Sequence, residues 1–252
     1  MQPLPTHDDV GDPSGRPVVY LHGGGDSRLS RHPDDSIAAE LGVRLVAIDR
    51  CGPARHGRRR TLLAWADEVT AVVDALGIER FGVVGWSAGG PHALAVAAAL
   101  PERATRVGLV GSMPTPAGAG ALPVDVRRVT RVARLAPRLA ARMLERWGRQ
   151  PVASTGDPMT DDAYARGRVE SFRHGGLWLA RELACLARPW GFEPADVRVP
   201  VTLWWGESDH VCPPSIARDY ARALPNAELR LVEGNHQLLF ARWRDILADA
   251  AS

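Results

Sequence analysis

Five residues, Gly85-Trp86-Ser87-Ala88-Gly89, stand between an apolar run at 81–84 and a helix-like stretch at 89–100. A strand that turns straight into a helix over so few residues forces strained backbone angles and brings neighbouring chain close. A side chain at either flanking glycine would collide with it. The turn therefore presents Ser87 at the carboxyl end of a strand and the amino end of a helix, where backbone N–H groups favour developing negative charge. Few folds accommodate that turn, and it constrains this chain more than any other feature.

The surrounding pattern agrees. Short β-branched or aliphatic runs at 17–21, 43–48, 81–84, 107–110, 201–205 and 229–232 alternate with helical stretches at 33–41, 62–76, 89–100, 215–223 and 240–250. Near-continuous apolar runs suit strands buried on both faces, which predicts an α/β fold with a mostly parallel central sheet flanked by helices. The alternation lapses from about residue 113 to 199. There an amphipathic stretch, 125–149, interleaves eight arginines with Val129, Val132, Leu135, Leu139 and Leu144, and a second helix or pair of helices is expected over 161–186. The basic face reads as a solvated surface, with attraction of acidic substrates or partners as the alternative.

A serine hydroxyl needs a base, and the base needs an orienting acid. Asp209 follows the run 201–205 and His236 follows 229–232, both at the strand ends where open α/β sheets gather their sites. The run 107–110 is followed by no acid before Gly120, which favours Asp209. Glu207 is a lesser alternative acid, His210 would point elsewhere, His22 braces its loop and His92 forms a wall. The glycines of His22-Gly23-Gly24-Gly25-Asp26-Ser27 let backbone N–H groups approach a tetrahedral oxygen, so the expected oxyanion donors are Gly24 and Ala88, with Gly25 as substitute. A phosphate nest and a metal set of His22, Asp26, His32, Asp34 and Asp35 are weaker readings of the same loop. Substrate contacts are expected from Gly25, Trp86, Trp147, Phe172 and Trp178, an apolar pocket for a hydrophobic or aromatic substrate.

Composition excludes some chemistry. All 31 basic residues are arginine, so P-loop, pyridoxal-phosphate and Schiff-base mechanisms, which need a lysine, are excluded. Three scattered cysteines, Cys51, Cys185 and Cys212, suit a reducing compartment and supply neither a disulfide framework nor a zinc site. The amino-terminal residues lack a charged region followed by an apolar one, and no run reaches the roughly 20 apolar residues of a membrane span. The expectation is a cytoplasmic protein acting on a small-molecule substrate, without cofactor, metal, nucleic acid or membrane, and with a homodimer left open.

His22-Gly23-Gly24, Asp49-Arg50, Gly85 through Pro91, Gly206-Glu207-Ser208-Asp209 and Gly234-Asn235-His236 together resemble the α/β-hydrolase superfamily, in particular bacterial esterase-like members with a helical cap. The resemblance implies Ser87 as nucleophile, Asp209 as acid and His236 as base. It also implies a core formed by 1–112 and 200–252, and a cap, 113–199, inserted between the sixth and seventh strands of the family pattern. The implied activity is cleavage of an ester, lactone or thioester through an acyl-enzyme. A biosynthetic cyclase, lyase or transacylase on the same fold is the alternative, and a ligand-sensing protein is a more distant one. Three departures stand out: Cys51 and His56 in the loop after 43–48, Gly25-Asp26 where Pro-Gly is common, and only sixteen residues before the first strong strand, so that the family's leading β-hairpin is shortened or missing.

Overall fold

A computed structural model describes residues 4–50 and 61–252. The departures at Cys51 and His56 lie outside the described residues. The strands are β1 (His7–Gly11), β2 (Arg16–Leu21), β3 (Val43–Ile48), β4 (Phe81–Trp86), β5 (Ala104–Val110), β6 (Val201–Gly206) and β7 (Ala227–Val232). They form one sheet in the order β1-β3-β2-β4-β5-β6-β7, parallel except for β1. The helices of the core are α1 (Ser36–Glu40), α2 (Trp65–Ala75), α3 (Gly89–Ala99), α8 (Pro214–Ala223), α9 (Leu238–Ala241) and α10 (Trp243–Ala250).

Alternate residues of the strands supply two separate cores. Val19, Leu21, Val83 and Leu109 pack with α2 and α3 on one face. Val18, Tyr20, Val84 and Val110 pack with α10 on the other. Over the central strands β2 to β6 both faces are dry, which explains why those strands read as near-continuous apolar runs. At about 25 cal/mol per Å² of apolar surface removed from water, this two-sided burial is the main force holding the strand ends in register.

β1 was not expected as a strand. Its His-Asp-Asp-Val-Gly carries no apolar alternation. It is held by backbone pairing to β3 and by Arg44 on Asp9 (2.7 Å) and Arg28 on Asp8 (2.8 Å). One strand of the leading hairpin is thus present, as an antiparallel edge.

Between β5 and β6 lies an insert of four helices, α4 (Val124–Leu135), α5 (Pro137–Gly148), α6 (Pro158–Phe172) and α7 (Leu177–Leu186). The amphipathic stretch expected over 125–149 is broken once, because Pro137 has no N–H to donate and Ala136 leaves the helical region at φ −141°. Asp157 caps α6 by accepting from the Met159 and Thr160 N–H groups. Ala133, Ala140, Ala141 and Leu144 meet Leu179, Ala180 and Leu183 of α7 in the first core, so the insert is continuous with the sheet's own packing. No helix among the described residues is long and apolar enough to cross a membrane.

Candidate active site

Ser87 has φ +53°, the only non-glycine with positive φ among the described residues. An L-residue adopts that region at a cost of about 1–3 kcal/mol, which the surrounding structure must offset. Here Ser87 N–H bonds to the Val110 carbonyl (2.9 Å), and the Ser87 carbonyl accepts from Gly90 N–H (3.1 Å) and Met113 N–H (2.9 Å). The glycines are required by space. A methyl on Gly89 would press into the Leu21 carbonyl, and one on Gly85 would lie 2.8 Å from the Ala93 methyl.

Three strand ends converge on the serine. His236 Nε2 lies 3.1 Å from Ser87 Oγ, and His236 Nδ1 lies 2.8 Å from Asp209 Oδ2. The other carboxylate oxygen of Asp209 accepts from the N–H groups of Val211 (2.9 Å) and Cys212 (2.8 Å). An Nδ1–H that donates to the carboxylate leaves Nε2 free to accept the serine proton. Gly111 directly follows β5, at φ +49°. A Cβ there would stand 3.0 Å from Asp209 Oδ2 and 3.2 Å from His236 Nδ1, so its missing side chain makes room for the pair. Glu207 and His210 are exposed.

The glycine loop after β2 lies against the start of α3. A Cβ on Gly24 would be 3.2 Å from the Ala88 methyl. His22 donates from Nδ1 to the Gly23 carbonyl (2.8 Å) and accepts the Arg50 N–H at Nε2 (2.9 Å), so it braces the loop as expected. The fully buried Arg50 guanidinium donates to the carbonyls of His22 and Gly23 and, through Nε, to Glu182 of α7 (2.9 Å). His92 donates from Nδ1 to the Ala88 carbonyl (2.8 Å), with Nε2 3.6 Å from the same Glu182 oxygen. Arg50 enters the sequence reading only within the Asp49-Arg50 pair, with no role attached, and Glu182 does not enter it.

A cavity of about 280 Å³ opens over Ser87. Gly24, Asp26, Trp86 and His236 line it from the core side, and Trp147, Val152, Tyr164 and Arg168 from the insert. Of the expected substrate contacts, Trp86 and Trp147 line this cavity. Gly25, at φ +77°, sits behind the Trp147 ring. Phe172 and Trp178 are not among the residues that line it. Phe172 packs on Gly148, and Trp178 turns into the core and donates to the Ser171 carbonyl (2.9 Å).

The pocket is also less apolar than expected. Arg168 is buried 3.9 Å above the Trp147 ring, with Nε 3.4 Å from Asp26 and Nη2 donating to Tyr164 (3.2 Å). Burial raises the Asp26 carboxyl above its ordinary value, against the pull of Arg168. Asp34 and Asp35, named in the metal reading, are taken up by Ser36 and Arg31. Among the described residues no group of three His, Cys, Asp or Glu could hold a metal ion.

A seven-stranded, largely parallel sheet with a serine on a strained strand-to-helix turn defines a class, and comparison with known proteins places the chain in it. The family model described as alpha/beta hydrolase fold matches residues 16–242, and the chain belongs to that family. A Bacillus subtilis (strain 168) protein bearing the name of a 2-succinyl-6-hydroxy-2,4-cyclohexadiene-1-carboxylate synthase is 26% identical over 240 residues, covering 89% of this chain and 84% of its own length. Among solved structures, the enol-lactonase from Burkholderia xenovorans LB400 superposes with a TM-score of 0.74 at 18% identity, covering 97% of this chain and 95% of the other. The esterase RhEst1 from Rhodococcus sp. ECU1013 gives 0.68 at 22%, covering 95% and 90%. At those identities the likeness is one of fold.

Proposed function

We propose that this protein is a serine hydrolase that cleaves an ester, lactone or thioester through an acyl-enzyme on Ser87. The observation that carries the reading is the unbroken line Asp209–His236–Ser87, with 2.8 Å and 3.1 Å contacts, ending in a cavity. In this mechanism Ser87 Oγ attacks the carbonyl as His236 Nε2 takes its proton. Asp209 holds the ring by Nδ1 and stabilises the imidazolium. The N–H groups of Gly24 and Ala88 receive the oxyanion. Losing one such donor typically costs about 3–4 kcal/mol of transition-state stabilisation. His236 then returns the proton to the leaving group, and water repeats the sequence on the acyl-enzyme.

The insert, residues 113–199, serves as the cap. It supplies the Trp147 and Tyr164 walls for an apolar substrate body, and Arg168 for a polar group upon it. The names carried by the enol-lactonase and the esterase accord with attack on an ester bond.

A fluorophosphonate probe tests the mechanism. The wild type is expected to take up one probe per chain and Ser87→Ala none; an unlabelled wild type overturns it. A second reading, a synthase or lyase on the same site, is favoured by the buried Asp26–Arg168 pair on the cavity wall and by the name of the Bacillus relative. It predicts that Ser87→Ala retains turnover of the true substrate, whereas a hydrolase loses nearly all.

A further inference from the structure

We propose that Glu182, from the insert, is a positioning residue for the oxyanion hole, holding the Arg50 guanidinium against the carbonyls of His22 and Gly23 so that the Gly24 N–H is turned toward the oxygen bound at Ser87. The proposal rests on the hydrolase reading above and names how its oxyanion donor is set.

The stereochemistry is simple. A trans peptide is planar, and its C=O and N–H point to opposite sides. The Gly23 carbonyl is claimed from one side by His22 Nδ1 (2.8 Å) and Arg50 Nη2 (3.4 Å), and the His22 carbonyl by Arg50 Nη1. The N–H of Gly24 therefore faces away from Arg50, while Gly24 itself lines the cavity beside Ser87. Glycine has no side chain to resist a flip of these peptides, so their orientation is set by the groups on their carbonyls, His22 Nδ1 from within the loop and the Arg50 guanidinium from outside it. Arg50 spans both carbonyls, and Glu182 holds Arg50.

Glu182 is an odd residue to keep for stability. It is fully buried, in the middle of α7. Among the described residues its second carboxylate oxygen has no hydrogen-bond partner. A buried ion pair with an unsatisfied oxygen is commonly matched or bettered by apolar residues of similar volume. What an apolar pair lacks is the fork of N–H donors on two loop carbonyls. Glu182 also stands 3.6 Å from His92, which bonds the Ala88 carbonyl, so one insert side chain reaches toward both halves of the hole. The insert thereby does more than roof the cavity. Its α7 must be seated for the oxyanion site to be in order.

The experiment uses that asymmetry. Glu182→Ala, Glu182→Gln and the double variant Arg50→Met with Glu182→Leu are compared with the wild type. The readouts are thermal midpoint, KM and acylation rate on a p-nitrophenyl ester per labelled site, and affinity for a boronic acid, which forms a tetrahedral adduct on Ser87. The expected result is that the double variant recovers most of the midpoint lost in Glu182→Ala. Its acylation rate and boronic-acid affinity stay about 100-fold down, the order expected for a lost oxyanion donor, at nearly unchanged KM. Glu182→Gln, which keeps an acceptor for Arg50 Nε, falls between. Recovery of acylation together with the midpoint in the double variant overturns the proposal, as does a wild-type acylation rate in Glu182→Gln. A wild type that neither labels nor acylates sinks the hydrolase reading instead, so the two failures are distinguishable.

Discussion

At the scale of single residues the proposed catalytic arrangement depends as much on absent side chains as on present ones. Ser87 sits at φ +53° because neighbouring glycines leave room for the chains that pin it. Gly111 does the same for the acid and base. Gly111→Ala puts a methyl 3.0 Å from Asp209 Oδ2 at a backbone angle that costs an L-residue about 1–3 kcal/mol. The expected outcome is a lower thermal midpoint and acylation at least about tenfold slower, since misplacement by a fraction of an ångström is costly at a proton-transfer line. Acylation unchanged per labelled site would show that the pair has slack. The meeting of Ser87, Asp209, His236, Gly24 and Ala88 was legible in the sequence because each sits at a strand end announced by an apolar run and a glycine. Gly111 carries the same signal, a glycine directly after a strand, but it brings no ionisable group to mark it as part of a site. Tyr164, Arg168 and Glu182 carried no signal, because helical residues reach a distant site only through tertiary packing.

Elements show the same division between local and non-local causes. Every strand buried on both faces was readable from its apolar run. β1 was not, since an edge strand held by backbone pairing and two arginine–aspartate contacts needs no apolar pattern. The insert was readable as helical, though its joint at Pro137 was overlooked within a run of good amphipathic spacing. The start of α6 is fixed by a small acid-sensitive turn. Asp161 accepts from the backbone and hydroxyl of Thr155 and from Ser154 Oγ (2.9 Å), and these bonds lower its carboxyl below the ordinary 3.8. A lowered acid contributes stability that is present above its unfolded value and lost as pH falls through the folded one. Asp161→Asn should therefore lower the midpoint at neutral pH, with the gap to wild type closing below pH 3.8. A gap that is flat with pH would mean that the charge is irrelevant there. Asp157→Ala, which removes the α6 cap, is expected to cost about 1 kcal/mol in urea denaturation.

Across the whole molecule, core and insert are joined at the glycine loop after β2 by two buried ion pairs, Arg50–Glu182 and Asp26–Arg168, and by a close approach of α6. At Gly167 a methyl would press into Ser30, whose backbone N is only 2.9 Å away. Gly167→Ala should thus lift α6 from the loop, weaken the Arg168–Asp26 contact and change the fluorescence of Trp147. Acylation should slow more than the midpoint falls. Equal and small effects on both would mean that the loop moves along with the helix.

The placement of the insert also bears on how the chain is made. Ser87 follows β4, whereas Asp209 and His236 follow β6 and β7, which join the sheet only after the insert has been synthesised. A growing chain that has not yet reached His236 has no base to place beside its serine. On the proposed mechanism reactivity is therefore withheld until the last two strands have docked, and a serine-directed probe added during refolding would report the completion of the fold rather than its beginning.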